Sequence, residues 1–181
     1  KKEESAAIST SSSISSAAGA WAIALFAQAV QTLVACRESN DMLEKMLDLV
    51  FKHLPCERGF IGLIEDDTEE IVSRVTRSRN NDNPETISIS RSIVQEAVRS
   101  KQAMLIDDTH QDSRFSHEDS ILQMNIRSAM CAPLYNEGAV SGIVYVDSVR
   151  QRKAFTEQHL QILSTLSMLL AMALEQTRMR E

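Results

Sequence analysis

The side chains best suited to chemistry crowd into residues 106–119, IDDTHQDSRFSHED, where Asp107, Asp108, His110, Asp112, His117, Glu118 and Asp119 bring carboxylates and imidazoles together. Such groups at close range are what a metal site or a general acid/base pair requires, so their spacing decides between chemistry and a polar loop. Laid on a calcium-loop template from Asp107, the ligand positions fall on Asp107, Thr109, Gln111, Ser113 and Glu118, with Asp112 where the sharp turn needs glycine. Starting from Asp108 makes Asp119 the last ligand and puts Ser113 in the glycine place, so neither register fits. His110 and His117 lie seven residues apart, with no HExxH and no third nitrogen or sulfur ligand at a usual spacing. The window reads as a strand exit, a polar loop and a short helix over SHEDSILQM, with Ser116 as N-cap and Asp119 near the helix's positive end. We assign it neither a metal nor a catalytic residue.

Nucleophilic chemistry fares no better. Cys36, Cys56 and Cys131 are an odd, scattered set with no CxxC pair, which argues against a disulfide framework or a structural zinc site and fits a reducing cytoplasm. Cys131 sits inside an apolar strand pattern with no neighbouring histidine, the setting of an inert buried thiol.

The chain that must position these residues has 181 of them, enough for one domain with additional helix. With 43% hydrophobic and 24% charged residues the composition is globular, and a net charge of −6 disfavours nucleic acid as a direct partner. Residues 17–36, AAGAWAIALFAQAVQTLVAC, form the one membrane-like stretch. Gln28 and Gln31 interrupt it, and Glu3 and Glu4 offset the leading lysines, so it reads as an interface helix rather than a signal or a span. The lack of an initiator Met is what a fragment of a longer protein would show.

Residues 1–16, KKEESAAISTSSSISS, are Ser-rich and poor in large apolar side chains, predicting a linker or frayed lead-in with helix from about Ala17, so that 1–38 precede the main domain. Ser39, Asn40 and Asp41 offer caps for a helix carrying Met42, Leu43, Met46, Leu49, Val50 and Leu54 at helical spacing, and Pro55 stops it. The period then changes. RGFIGLIE (58–65) and EIVSRVTR (70–77) read as a hairpin, NNDNPET (80–86) as a loop, and a helix capped by Ser90 is predicted from Arg91 to Lys101 after ISIS. AMLI (103–106) is a short buried strand. RSAMCAPLY and AVSGIVYVDS are strands joined by Asn136-Glu137-Gly138, a hairpin turn by composition.

The last element is one long helix capped by Thr156. Leu163, Leu166, Leu170 and Ala173 form one apolar stripe, and Ile162, Leu169 and Met172 form another. A helix with one stripe for its own domain and a second left over meets another helix, so a parallel homodimer is predicted through Leu163, Leu166, Leu170 and Ala173 in a C-terminal signalling segment, 160–181. Helices at both ends around five or six largely antiparallel strands give an α+β domain.

Several segments carry a family likeness: LPCERGFIGLIED (54–66), ISRSIVQEAVRSKQAMLIDD (89–108), DSRF (112–115), NIRSAMCAPLYNEGAVSGIVYVDS (125–148) and FTEQHLQILSTLSMLLAMALE (155–175). Together they resemble the GAF domain of bacterial signalling proteins over residues 39–176. The resemblance implies an antiparallel sheet related to the PAS fold, with long N- and C-terminal helices. It implies a non-catalytic, cytoplasmic sensor that binds a small molecule between the sheet and the middle helices and signals along its terminal helices to an output domain in the same chain. Transferred residue by residue, it points to Arg91, Ile106, Asp108, Arg114, Phe115, Ile121 and Cys131 as ligand-lining positions, with Asp108, Arg114 and Phe115 as gate residues.

Special ligands of the family meet departures here. The cyclic-nucleotide signature is broken where Gln158 and His159 replace the acids after Phe155 and no Asn-Lys precedes. Bilin attachment lacks a Cys-His pair, haem would have only the loop histidines His110 or His117, and the cysteines do not match the set used by relatives that reduce methionine sulfoxide. No cofactor is assigned. A ligand-free dimerisation module, its pocket filled by its own side chains, is the alternative.

Overall fold

The change from helical to strand period after Pro55 marks the start of the sheet in the computed structural model, which describes residues 2–65, 70–80, 91–115 and 125–180, with side chains from residue 19 onward. In chain order the elements are α1 (Lys2–Ala35), α2 (Ser39–His53), β1 (Arg58–Ile64), β2 (Ile71–Ser78), α3 (Arg91–Ser100), β3 (Met104–Ile106), β4 (Ser128–Asn136), β5 (Ala139–Ser148) and α4 (Glu157–Arg178). The strands form one five-stranded sheet in the order β2-β1-β5-β4-β3, every pairing antiparallel. This is the α+β architecture predicted from the sequence. The ISIS segment, the Ser90 cap, most of the 80–86 loop, the short helix entered at Ser116, and Ile121 lie outside the described residues.

Two local expectations change. Helical backbone begins at Lys2 rather than near Ala17. The lead-in has no Pro and no Gly before Gly19, and its alanines favour helix, so low hydrophobicity alone does not end it. At α2 the N-cap is Glu38, without a side-chain cap bond, and Ser39 is already helical. The stop is as expected: Leu54, held extended before Pro55 at φ −111° and ψ 145°, closes α2 with its amide donating to the Val50 carbonyl.

Other turns follow the residues. Glu137 (φ 48°) and Gly138 (φ 90°) are both left-handed, as a two-residue hairpin turn between β4 and β5 demands. β1 and the central strand β5 approach so closely that a Cβ at Gly142 would run into the Gly62 carbonyl oxygen. Thr156 caps α4 in a reciprocal box: its Oγ1 accepts from the His159 amide at 3.2 Å, and His159 Nδ1 accepts from the Thr156 amide at 3.2 Å.

Strand alternation divides the interior into two cores. Met130, Ala132 and Leu134 of β4, with Val144 and Val146 of β5, meet α1, α2 and α4 on the inner face. Ala129, Cys131, Ile143 and Tyr145 point the other way, to an outer face closed by α3, β3 and Phe115. Leu163, Leu166 and Leu170 lie in the inner core, fully buried against the chain's own sheet and helices. This corrects the predicted dimer face. The sheet claims Leu163, Leu166 and Leu170, while Ala173 beside them is half-buried against the same core.

Candidate functional site

Seven buried residues of β1, β3, β4 and β5 build the outer face: Phe60, Met104, Ile106, Ala129, Cys131, Ile143 and Tyr145. Phe60 and Tyr145 are cross-strand partners, their ring centroids 5.4 Å apart. α3 covers this face with Ile93, Val94 and Ala97 because its apolar residues recur at helical spacing.

One polar assembly interrupts the apolar surface. Asp147 is fully buried on β5, two residues beyond Tyr145 and so on the same side of the strand. Its cross-strand partner Arg58 donates from Nε to Oδ1 at 2.9 Å and from Nη2 to Oδ2 at 2.7 Å. The Tyr145 hydroxyl donates to Oδ2 at 2.8 Å. Burial opposes the charge on Arg58, but the bonds and charge of Asp147 outweigh it and raise its pKa further. Burial first, and then the Asp147 charge, pushes the Tyr145 phenol well above its usual range, which keeps it a hydrogen-bond donor. The bidentate pair fixes one edge of the outer face in position.

Next to Arg58, the Glu57 carboxylate holds the exit of β5. Its Oε2 accepts from the Ser148 hydroxyl at 2.9 Å, the Val149 amide at 2.8 Å and the Arg150 amide at 3.0 Å, and Arg150 pairs with Oε1 at 3.1 Å. The network continues along the chain toward α4. The Gln151 amide donates to Ser148 Oγ at 3.1 Å, Ser128 Oγ donates to the Gln151 carbonyl at 2.9 Å, and the Ala154 amide donates back to Ser128 Oγ at 3.4 Å. Two residues later Thr156 opens α4.

The residues singled out by sequence separate into three groups. Ile106, Phe115 and Cys131 meet in the outer core. Asp108 is buried but does not join them: its Oδ1 accepts from the His110 amide at 3.1 Å and its Oδ2 faces Arg152 at 3.4 Å, so it shapes the turn after β3. Thr109 ties that turn down by donating to the Ile126 carbonyl. Arg114 is exposed and closes a local pair on Asp112, Nε to Oδ1 at 3.0 Å and Nη2 to Oδ2 at 2.7 Å, while its guanidinium lies 5.2 Å from the Phe115 ring centre. Arg91 is exposed at the start of α3.

Arg114 instead borders a groove of about 300 Å³ between α3, β3 and the first turn of α4, together with Glu96, Met104, Leu105, Glu157 and Leu160. The Arg58–Asp147–Tyr145 assembly and Glu57 went unassigned in the sequence reading. Their signal was an aspartate two residues after a tyrosine in the otherwise apolar strand GIVYVDS, since a buried carboxylate requires a cation.

The thiols are not poised for catalysis. All three cysteines are free and buried, and burial pushes Cys56 and Cys131 up to about 12. Among the described residues, no three His, Cys, Asp or Glu side chains come together in an arrangement for a metal, and no helix is long and apolar enough to cross a membrane.

A family model for the GAF domain matches residues 36–175. No curated protein matches the chain. Among solved structures it is similar to the GAF domain of a phosphoenolpyruvate-protein phosphotransferase from Acinetobacter, at 16% identity and TM-score 0.71 over 88% of this chain and 95% of that one. It is similar to the same degree to a free methionine-R-sulfoxide reductase from Neisseria meningitidis, with 14% identity, TM-score 0.71 and 87% and 90% of the chains covered. A third similar structure is the GAF domain of the cyanobacteriochrome TePixJ, with 13% identity, TM-score 0.68 and 81% and 95% coverage. At such identities these structures speak for the fold alone, and the family match spans most of the chain's length. With its helix-backed antiparallel sheet and its second core on the opposite face, the chain belongs to the GAF domain family.

Proposed function

We propose that this GAF domain is a non-catalytic sensory module, taking a small molecule at the outer face of its sheet and relaying the change through α4 to an output domain in the same chain. The observation that carries this reading is the continuous network from Tyr145 and Arg58 through Asp147, Glu57, Ser148, Gln151 and Ser128 to the turn entering α4. A ligand that displaces Tyr145 or Arg58 acts on Asp147. The Asp147 carbonyl accepts from the Glu57 amide at 3.0 Å, so the displacement passes to the Glu57 clamp and the α4 entrance. Because β4 and β5 line both cores with alternate residues, strand movement is also felt directly by the helices.

The buried, protonated thiols favour sensing over a thiol-based reductase, and they leave no exposed cysteine among the described residues to carry a covalent chromophore. A second reading, the ligand-free dimerisation module, is favoured by one observation: Phe60, Phe115 and Tyr145 already fill the outer core.

Native mass spectrometry and thermal-shift titration of the purified domain against a metabolite panel separate the two. A retained or stabilising molecule whose effect is lost in Arg58→Ala supports the sensor. If no metabolite is retained or raises the midpoint, the ligand-free module takes its place.

A further inference from the structure

On one side the described sheet ends at β3, and the groove of about 300 Å³ at that edge is lined by charges of both signs. Met104 and Leu105 of β3 and Leu160 of α4 form its apolar part. Glu96 joins them from α3, Arg114 from the loop after β3, and Glu157 from the first turn of α4. Only Met104 is shared with the outer core, so the groove is a separate feature of the molecule. Its volume falls at the lower end of the roughly 300–1,000 Å³ that small-molecule sites occupy.

Arg114 is held in place from several sides. Its Nε and Nη2 bond to Asp112 at 3.0 and 2.7 Å, its Nη1 lies 4.0 Å from Met104 Sδ, and its guanidinium lies 5.2 Å from the Phe115 ring centre. The N–H groups not aimed at these partners remain for an incoming carboxylate. On α3, Arg99 grips Glu96 at 2.7 and 2.9 Å. The hydrogen bonds of Arg99, and with less weight the charges of Arg99 and Arg114, hold the Glu96 carboxyl below the usual glutamate range. Asp112 first, and the Glu96 charge less, raise Arg114 in turn. Glu96 and Arg114 therefore feel each other, yet each bonds to another partner. Glu157 is exposed and makes no ion pair among the described residues.

Two carboxylates against one guanidinium leave the lining with a net charge of −1, and counting the partners Arg99 and Asp112 as well does not change it. Lys101, the residue after α3, donates to the Gly138 carbonyl at 2.9 Å rather than to either carboxylate. The complementary occupant carries a carboxylate, two cationic groups and an apolar stem between them. We infer that the groove is a second binding site of this chain, for a free basic amino acid of the lysine type. Its carboxylate meets Arg114, its two ammonium groups meet Glu96 and Glu157, and its methylenes cover Leu105 and Leu160. A neutral amino acid leaves one carboxylate of the groove uncompensated, and an acidic one brings a further anion to a negative surface. The occupant touches α3, β3 and α4 together, so binding ties the α4 entrance to the helix that covers the outer core. This site does not rest on the sensory reading, since it stands whether or not the outer face takes a ligand.

Isothermal titration calorimetry of the whole 181-residue chain with L-lysine, L-leucine, L-glutamate and cadaverine tests it. L-Lysine should bind and L-glutamate should give no signal. Cadaverine lacks the carboxylate and L-leucine the second amine, so each should bind at least about tenfold more weakly than L-lysine. Arg114→Ala and Glu157→Gln change exposed side chains and should keep the circular dichroism of the wild type while losing about tenfold in L-lysine affinity. Arg114→Ala should not weaken cadaverine, which has nothing for the guanidinium to hold, and Tyr145→Phe on the outer face should bind L-lysine as the wild type does. No heat with L-lysine up to about 10 mM, equal affinity for L-lysine and L-glutamate, or undiminished L-lysine affinity in both groove variants overturns the inference. A metabolite whose stabilisation is lost in Arg58→Ala, with L-lysine failing to bind, refutes this site and leaves the sensor standing; the reverse result refutes the sensor alone.

Discussion

Arg58 and Asp147 face each other across β1 and β5 and are joined by two hydrogen bonds, at 2.9 and 2.7 Å, although 89 residues separate them in sequence. Removing the cation strands a fully buried carboxylate, so Arg58→Ala is expected to lower unfolding stability by about 3–5 kcal/mol. Tyr145→Phe, which deletes one donor and leaves Asp147 its guanidinium, should cost about 1 kcal/mol. Urea denaturation of both variants measures the difference. Equal losses would mean that Asp147 does not depend on Arg58.

Glu57 gives the fold an acid dependence. Burial pushes its carboxyl up, but the Ser148 hydroxyl, the Arg150 and Val149 amides and the Arg150 charge outweigh this and hold it below the usual glutamate range. A carboxylate held low in the folded state stabilises the fold above the unfolded pKa, and that contribution disappears as pH falls through the folded value. Wild-type stability should therefore decline below the ordinary glutamate pKa, and Glu57→Gln should flatten that part of the profile. Urea midpoints at neutral and acidic pH check it; identical pH slopes in the two proteins would contradict the clamp.

The thiols should be silent. With Cys56 and Cys131 pushed up to about 12 and Cys36 also raised by burial, a native sample should show no thiol release from an aromatic disulfide reagent, and all three cysteines should react after denaturation. Rapid native labelling of Cys131 would reopen a catalytic reading.

Charges in the leucine stripe should unfold the domain rather than dissociate a dimer. Leu166 and Leu170 are buried in the inner core, so Leu166→Glu with Leu170→Glu should abolish cooperative unfolding, and the milder Leu166→Ala should cost about 2–5 kcal/mol. Circular dichroism melts read the outcome. A well-folded monomeric Leu166→Glu, Leu170→Glu variant would return this stripe to the surface.

Local chemistry made much of the fold legible. The Asn136-Glu137-Gly138 turn, the Thr156 cap and the stop before Pro55 depend on residues within a few positions of one another, and each appears where its chemistry places it. Of the candidate site, apolar pattern gathered only Ile106, Phe115 and Cys131, which share the outer core. Asp108 and Arg114 are two of the three expected gate residues, with Phe115, but their partners are Arg152 and Asp112, and nothing in a run of acids says which base each will meet. The helix α4 shows a further limit. Periodicity revealed two stripes, but the core takes more than one of them: Ile162 is buried beside the leucines, Leu169 packs against the same core, and only Met172 of the second stripe stands exposed.

The division into two cores has an evolutionary consequence. The inner core is closed by α1, α2 and α4 without any contribution from Phe60, Ile106 or Tyr145, so substitutions on the outer side need not undo the framework. Residues on the outer side can therefore change while the strand order and terminal helices are kept, and the positions least free to vary are those at the junction, Glu57, Ser128 and Ser148, which tie the outer half to the entrance of α4.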